Sequence, residues 1–291
     1  MIPKEILQQI RRIQITTSRM VTDVFAGHYH SVFKGRGMEF DEVREYQPGD
    51  DIRSIDWNVT ARTGNPFVKK FVEERELTIM LVLDISRSSY FGSVNRLKRA
   101  VAAELCSLLA MSAIKNNDRV GLIAFTDRIE KFVPPRKGLS HVLRIIREAI
   151  YFEPEGRGTD IAGALEYLSR ITNRSSVTFI ISDFYATEYK RPLSIANRRH
   201  DIVALSITDP REQQLPAIGL IHLEDAERGH RFMLDTSSPQ VRNEYSARAQ
   251  KLFDERQRLF RSVNVDHIDI RTDVPYLQEL YKFFRMRERR I

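Results

Sequence analysis

The chain has 291 residues and a formal net charge of +7, enough for one large domain or one domain with a smaller appendage. Hydrophobic residues make up 42% and charged residues 29%, a balance that excludes an intrinsically disordered chain. A single cysteine, Cys106, excludes a disulfide framework and a thiolate zinc cluster, and its place in an apolar helical run reads as a buried, inert thiol.

The opening stretch, MIPKEILQQIRRIQ, has no apolar run suited to a signal peptide or membrane anchor, and no later window approaches a transmembrane span. A cytoplasmic location is therefore expected. A helix is predicted over Lys4 to Met20, and the chain then becomes irregular and turn-rich as far as residue 75. Pro48-Gly49-Asp50 and Thr63-Gly64-Asn65-Pro66 are turn signals within it. His28 and His30 lack a third ligand nearby and read as surface residues, and Asp41, Glu42 and Glu45 read as a solvated face.

From Leu77 strands and helices alternate. Leu77 to Ile85 is a continuous apolar run, as a buried parallel strand is, and Arg96 to Ile114 is a long helix with an apolar stripe. Asp118 to Asp127 is a second strand, and Ile129 to Pro134 follows so closely that it must pair antiparallel to it. Helices are predicted at 139–150 and 160–171, and buried strands at Ser176 to Asp183 and Asp201 to Asp209. LIHLED and RFMLD form an extra hairpin, a charged helix spans 239–261, and a last strand (Asn264 to Ile270) leads into a helix from about Val274. The fold class is α/β: a doubly wound, mostly parallel, Rossmann-type sheet with helices on both faces. Two regions are expected, 1–75 packed on a main domain of 76–291. The first is too poor in apolar runs to form a sizeable core alone. Trp57 is its expected apolar anchor on the sheet domain, with Arg53 and Asp56 satisfied by nearby polar groups.

Ligands of open α/β sheets bind at the carboxyl ends of strands, where strand order reverses. Three such ends are rich in oxygen: Asp84-Ile85-Ser86-Arg87-Ser88, Gly156-Arg157-Gly158-Thr159-Asp160 and Ser182-Asp183. Singly, each also serves as a helix cap. Together, two carboxylates and three hydroxyls form a hard, all-oxygen set suited to Mg2+ or Mn2+. Arg87 sits inside the motif; turned inward, its guanidinium would pair with Asp84 or Asp183.

Asp-x-Ser-x-Ser at the end of the first apolar strand, a later Thr and an Asp ending a further strand resemble the metal-ion-dependent adhesion site of von Willebrand factor A domains. The resemblance implies a von Willebrand factor A-like fold in which Ser86, Ser88 and Thr159 coordinate through hydroxyls, and Asp84 and Asp183 coordinate directly or through water. The stretch from Phe40 to Glu74 (EFDEVREYQPGDDIRSIDW, then AR, then VKKFVEERE) resembles the bacterial family called domain of unknown function fifty-eight, whose members join that signature to a von Willebrand A-like domain. This resemblance runs from about Gly35 onward. It implies a metal-dependent protein-binding module, a non-enzymatic adaptor or partner of a MoxR-type AAA+ ATPase, with an acidic residue of the ATPase or its client completing the metal shell.

Two other functions compete. Asp84, ending the first strand of a doubly wound sheet, could accept a phosphoryl group, but haloacid-dehalogenase-like enzymes need a second Asp where Ser86 stands. Receiver-like proteins need a Lys ending a late strand, and this one ends Ile207-Thr208-Asp209. There is no nucleophile–base pair, Walker motif or zinc-protease motif. Nucleic-acid binding is motivated by the positive charge alone. The densest basic run, Arg285, Arg287, Arg289 and Arg290 around Glu288, reads as a solvated helix end, so no nucleic-acid partner is expected.

Overall fold

A computed structural model of the chain describes residues 39–72, 76–94, 96–172, 174–227 and 229–290. The helix predicted over Lys4 to Met20, and His28 and His30, lie outside the described residues. The chain divides into two compact units, one of residues 33–77 and one that carries 78–291.

Within the small unit, β1 (Glu39–Glu45) pairs antiparallel with β2 (Phe67–Val72). Between them lie a 3-10 turn (Ile52–Ser54) and α1 (Trp57–Thr63). The polar residues that make this stretch look irregular in sequence organise it locally. Asp51 caps the turn through the Arg53 amide, and Asp56 caps α1 through the amides of Asn58 and Val59. Gly64 ends α1 in the left-handed region, at a φ of 80°. Arg44 binds both carboxylate oxygens of Asp50, at 2.9 and 2.7 Å. Trp57 departs from expectation. It occupies the first position of α1 and is 67% exposed, so the core of its own unit does not bury it.

The large unit is built on a six-stranded sheet. Its strands are β3 (Thr78–Asp84), β4 (Arg119–Phe125), β5 (Ile129–Arg136), β6 (Val177–Ser182), β7 (Asp201–Thr208) and β10 (Asp266–Arg271). The spatial order is β10-β7-β6-β3-β4-β5, with only β5 antiparallel. Counted within this sheet, that is the 3-2-1-4-5-6 order of doubly wound folds, and it is the arrangement expected of a von Willebrand factor A-like domain. The order reverses between β3 and β6. β5 lies at one edge and ends in Pro134-Pro135-Arg136. A separate hairpin, β8 (Leu220–Glu224) and β9 (Arg231–Asp235), is inserted after β7.

Helices cover both faces of the sheet. β3 is buried from Ile79 onward and β6 along its whole length, so each strand feeds two cores by alternation. Met80 and Val82 pack with Ile123 and Ile180 against residues of α4 (Ile161–Ile171), α5 (Lys190–Arg199) and α7 (Pro239–Ser262). α2 (Lys98–Lys115) packs on β3, β4 and β7 and against α3 (Leu139–Tyr151). It is buried on more than the single stripe expected: Val101, Leu105, Cys106, Leu108, Leu109 and Ala110 are all at most 1% exposed. Burial raises the pKa of the Cys106 thiol. A short α6 (Pro210–Gln213) follows β7, and α8 (Tyr276–Glu288) closes the chain against β10. Among the described residues no helix is long and apolar enough to cross a membrane.

Candidate functional site

Asp84 is the last residue of β3, and Asp183 directly follows β6. The two strands are neighbours in parallel register, Leu83 beside Ile181, so both carboxylates emerge at the point where strand order reverses. Both residues are buried, at 4% and 5% exposure. Asp84 Oδ1 accepts from the Ser86 amide at 2.9 Å, and Oδ2 from the Ser182 hydroxyl at 2.6 Å. Ser182 Oγ in turn accepts from the Phe184 amide at 3.0 Å. Phe184 takes a φ of 57°, a costly left-handed conformation for an aromatic residue. Its ring is locked in the core against Tyr189 and Phe260, and Arg256 donates to the Asp183 carbonyl at 2.8 Å. Together these contacts fix the turn that aims Asp183.

Ser86 is fully buried, and its hydroxyl lies 3.0 Å from that of Ser88. Ser88 lines the same small cavity as Asp84 and Asp183, so Asp84, Ser86, Ser88 and Asp183 form one cluster. Thr159 lies on a neighbouring loop. That loop is tied to the serine segment by Arg87 N–H to Arg157 carbonyl at 3.1 Å, and to the residue after β4 by Asp160 N–H to Thr126 carbonyl at 2.8 Å. Only glycine fits at 156, where a Cβ would come within 2.1 Å of Thr126 Oγ1. The Thr159 hydroxyl donates to Glu227 Oε1 at 2.7 Å and not to either aspartate.

The inward cation is Lys98, and Arg87 is exposed. Lys98 opens α2 and is 2% exposed. Its ammonium donates to Asp183 Oδ2 at 2.7 Å and to Glu212 Oε1 at 2.6 Å. Glu212 accepts from the Asp209 amide, and Asp209 accepts from the hydroxyls of Ser93 and Thr272, so the charge is held in a network that crosses the sheet edge. A lysine at the first helical position opposes the helix dipole. That is the signal in the sequence which could have marked it; Ser182 stands in the strand end already singled out, the Asp209-Pro210-Arg211-Glu212 capping box marks Glu212, and Glu227 carries no such signal.

The electrostatics are uneven. Burial, then the like charge of Asp183, push the Asp84 carboxyl up to about 7 against its hydrogen bonds. Burial also opposes ionisation of Asp183, but the adjacent Lys98 ammonium and its hydrogen bond hold that carboxyl below the ordinary range. Burial works against the charge on Lys98 too, yet Asp183 and Glu212 outweigh it and raise its pKa. Asp183 is therefore already compensated, whereas among the described residues no cation pairs with Asp84, and its carboxyl is held toward the neutral form.

These residues fit a small divalent ion. The donors are carboxylates and hydroxyls, the chemistry that Mg2+ and Mn2+ take. Neighbouring oxygens of an octahedral shell with bonds of about 2.0–2.1 Å lie about 2.9 Å apart; the Ser86 and Ser88 oxygens are at 3.0 Å. A cavity of about 10 Å³, lined by Asp84, Ser88, Lys98 and Asp183 among others, has room for one water-sized body. Among the described residues no group of three or more His, Cys, Asp and Glu side chains is placed to hold a metal ion, so any such site would rest on hydroxyls beside its two carboxylates.

The fold and this edge define a doubly wound α/β protein with a buried carboxylate–hydroxyl site at its switch point. The chain belongs to the family described as protein of unknown function DUF58, which matches residues 42–255. It is 32% identical over 285 residues to an uncharacterised protein of Mycobacterium tuberculosis H37Rv, a match that covers 96% of this chain and 89% of the relative. It is also 28% identical over 105 residues to the uncharacterised protein YeaD of Bacillus subtilis, covering 36% of this chain and 24% of that protein. Among solved structures it is similar to an aerotolerance-related membrane protein of Bacteroides fragilis, at 17% identity and a TM-score of 0.48, covering 72% of this chain and 99% of that one. A von Willebrand A domain of Rpn10 aligns at 11% identity and a TM-score of 0.39, covering 71% of this chain and 94% of that one.

Proposed function

We propose that this chain is a protein-binding module, not an enzyme, that holds a divalent ion at Asp84, Ser86, Ser88, Thr159 and Asp183. The observation that carries this reading is the buried Asp84 carboxyl, paired with no cation among the described residues and set beside two hydroxyls and a second carboxyl group. A bound Mg2+ or Mn2+ would supply an electrophilic position open to an acidic residue of a partner. The chain's own groups divide the remaining work. Asp84 and the serine hydroxyls offer oxygens, Ser182 fixes the Asp84 rotamer, and Lys98 neutralises Asp183 so that the site keeps little net charge. An electron-poor ion of this kind favours a carboxylate from outside.

The partner proposed is a MoxR-type AAA+ ATPase or its client, on the strength of the family resemblance. Phosphoryl transfer through Asp84 ranks second, because both carboxylate oxygens are engaged and the adjoining cavity is only about 10 Å³. The test is a titration of the purified chain against the MoxR-type ATPase of the same organism, with Mg2+ and with chelator. Binding should be lost with chelator and in an Asp84→Ala variant that still folds. Equal binding in all three would remove the metal mechanism.

A further inference from the structure

A second concave surface lies on one helical face of the large unit. α4 and α5 pack side by side and leave between them an open groove of about 370 Å³. Leu165, Glu166 and Ser169 of α4 line one wall, and Arg191, Pro192 and Ile195 of α5 line the other. The Arg199 guanidinium donates to the Ser169 carbonyl at 3.0 Å and ties the two helices together. α5 turns Leu193 and Ala196 into the core but leaves Ile195 54% exposed at the groove. Cations frame this apolar strip. Arg191, Ile195 and Arg198 stand at i, i+4 and i+7, so they form one stripe along α5. Arg170 follows Ser169 on α4, with its guanidinium over the Tyr167 ring at 6.0 Å. Lys190 opens α5 and Arg174 follows α4, and these four arginines and Lys190 are all exposed. Among the described residues, Arg170, Arg191 and Arg198 are in no ion pair, whereas exposed arginines elsewhere are paired, as Arg231 is with Glu224.

We propose that the α4–α5 groove docks an acidic segment of a protein partner, which seats an aliphatic side chain against Pro192 and Ile195 and sets carboxylates on Arg170, Arg191 and Arg198. Charge complementarity selects this occupant. The rim is positive, Glu166 is the one carboxylate among the lining residues, and the chain as a whole carries +7. Guanidinium groups match carboxylates through two parallel hydrogen bonds, and three of them along one groove suit a run of acidic side chains. The walls favour a peptide over a nucleic acid, because no aromatic ring lines the groove for a base to stack on. None of these residues belongs to the cluster around Asp84, and no ion takes part, so the inference stands apart from the metal-binding reading above.

The probe is a short synthetic peptide of glutamates around one central leucine, titrated into the full chain by calorimetry with chelator present. The same peptide with alanine for the leucine should bind about tenfold more weakly, the worth of one aliphatic side chain covered by the groove. Ile195→Ser should erase that difference between the two peptides without lowering the melting temperature, because Ile195 is largely exposed. The double variant Arg191→Glu, Arg198→Glu should weaken both peptides and flatten the dependence of binding on salt. Equal affinity for the two peptides, or no binding of the leucine peptide, would overturn the proposal. Duplex DNA and vesicles of anionic lipid serve as competitors. If either binds the wild type more tightly than the leucine peptide and loses that binding in the double arginine variant, the surface serves phosphate groups and the proposal also fails. Because chelator is present throughout, none of these outcomes bears on the site at Asp84.

Discussion

The carboxyl edge of the large sheet and the small unit of residues 33–77 are written in the same residue types and treat them in opposite ways. At the edge, Asp84, Asp183 and Lys98 are each at most 5% exposed and are held by named partners on separate strands and helices. In the small unit, Asp51 and Asp56 spend their charge capping short helices, and Trp57 stands 67% exposed. A charged residue is buried where it ends a wholly apolar strand or opens a buried helix, because the backbone carries it inward. Between turns the same residue stays with water.

The contrast predicts a graded response to mutation. Lys98→Ala leaves the Asp183 carboxylate buried without its counter-charge and should cost about 3–5 kcal/mol in denaturant unfolding. A loss below 1 kcal/mol would mean that water already reaches the pair. Gly156→Ala drives a Cβ into Thr126 and should cost about 1–3 kcal/mol, with the 156–160 loop displaced.

Asp84 offers a test by pH. Its folded pKa of about 7 stands above its ordinary 3.8, so folding favours its neutral form. That contribution is complete below the ordinary value and is lost as pH rises through the folded one. Asp84→Asn should flatten the fall in stability between these two limits, read as the denaturant midpoint against pH. An unchanged profile would place the titration elsewhere. Trp57→Ala is the smallest effect, within about 0.5 kcal/mol, as for other exposed positions; a loss of several kcal/mol would return Trp57 to the role of anchor.

Much of the large unit was legible because its strands are continuous apolar runs. Leu77 to Ile85 and Ser176 to Asp183 were placed within about one residue of β3 and β6, and their ends pointed to Asp84 and Asp183. α5 was missed: KRPLSIANRR is strongly polar, carries Pro192 in its first turn, and buries only Leu193 and Ala196. The β1–β2 hairpin was hidden by the turn signals between its strands. Within the site, Lys98 was concealed by helical periodicity, which treats a lysine as solvated. Glu227 was concealed by distance, since 68 residues separate it from Thr159.

β5 closes one edge of the main sheet, where a flat strand would expose a row of free backbone donors. Pro134 and Pro135 have no amide to offer there. That end of the strand offers another chain no donors, which blunts this edge of the sheet against β-pairing.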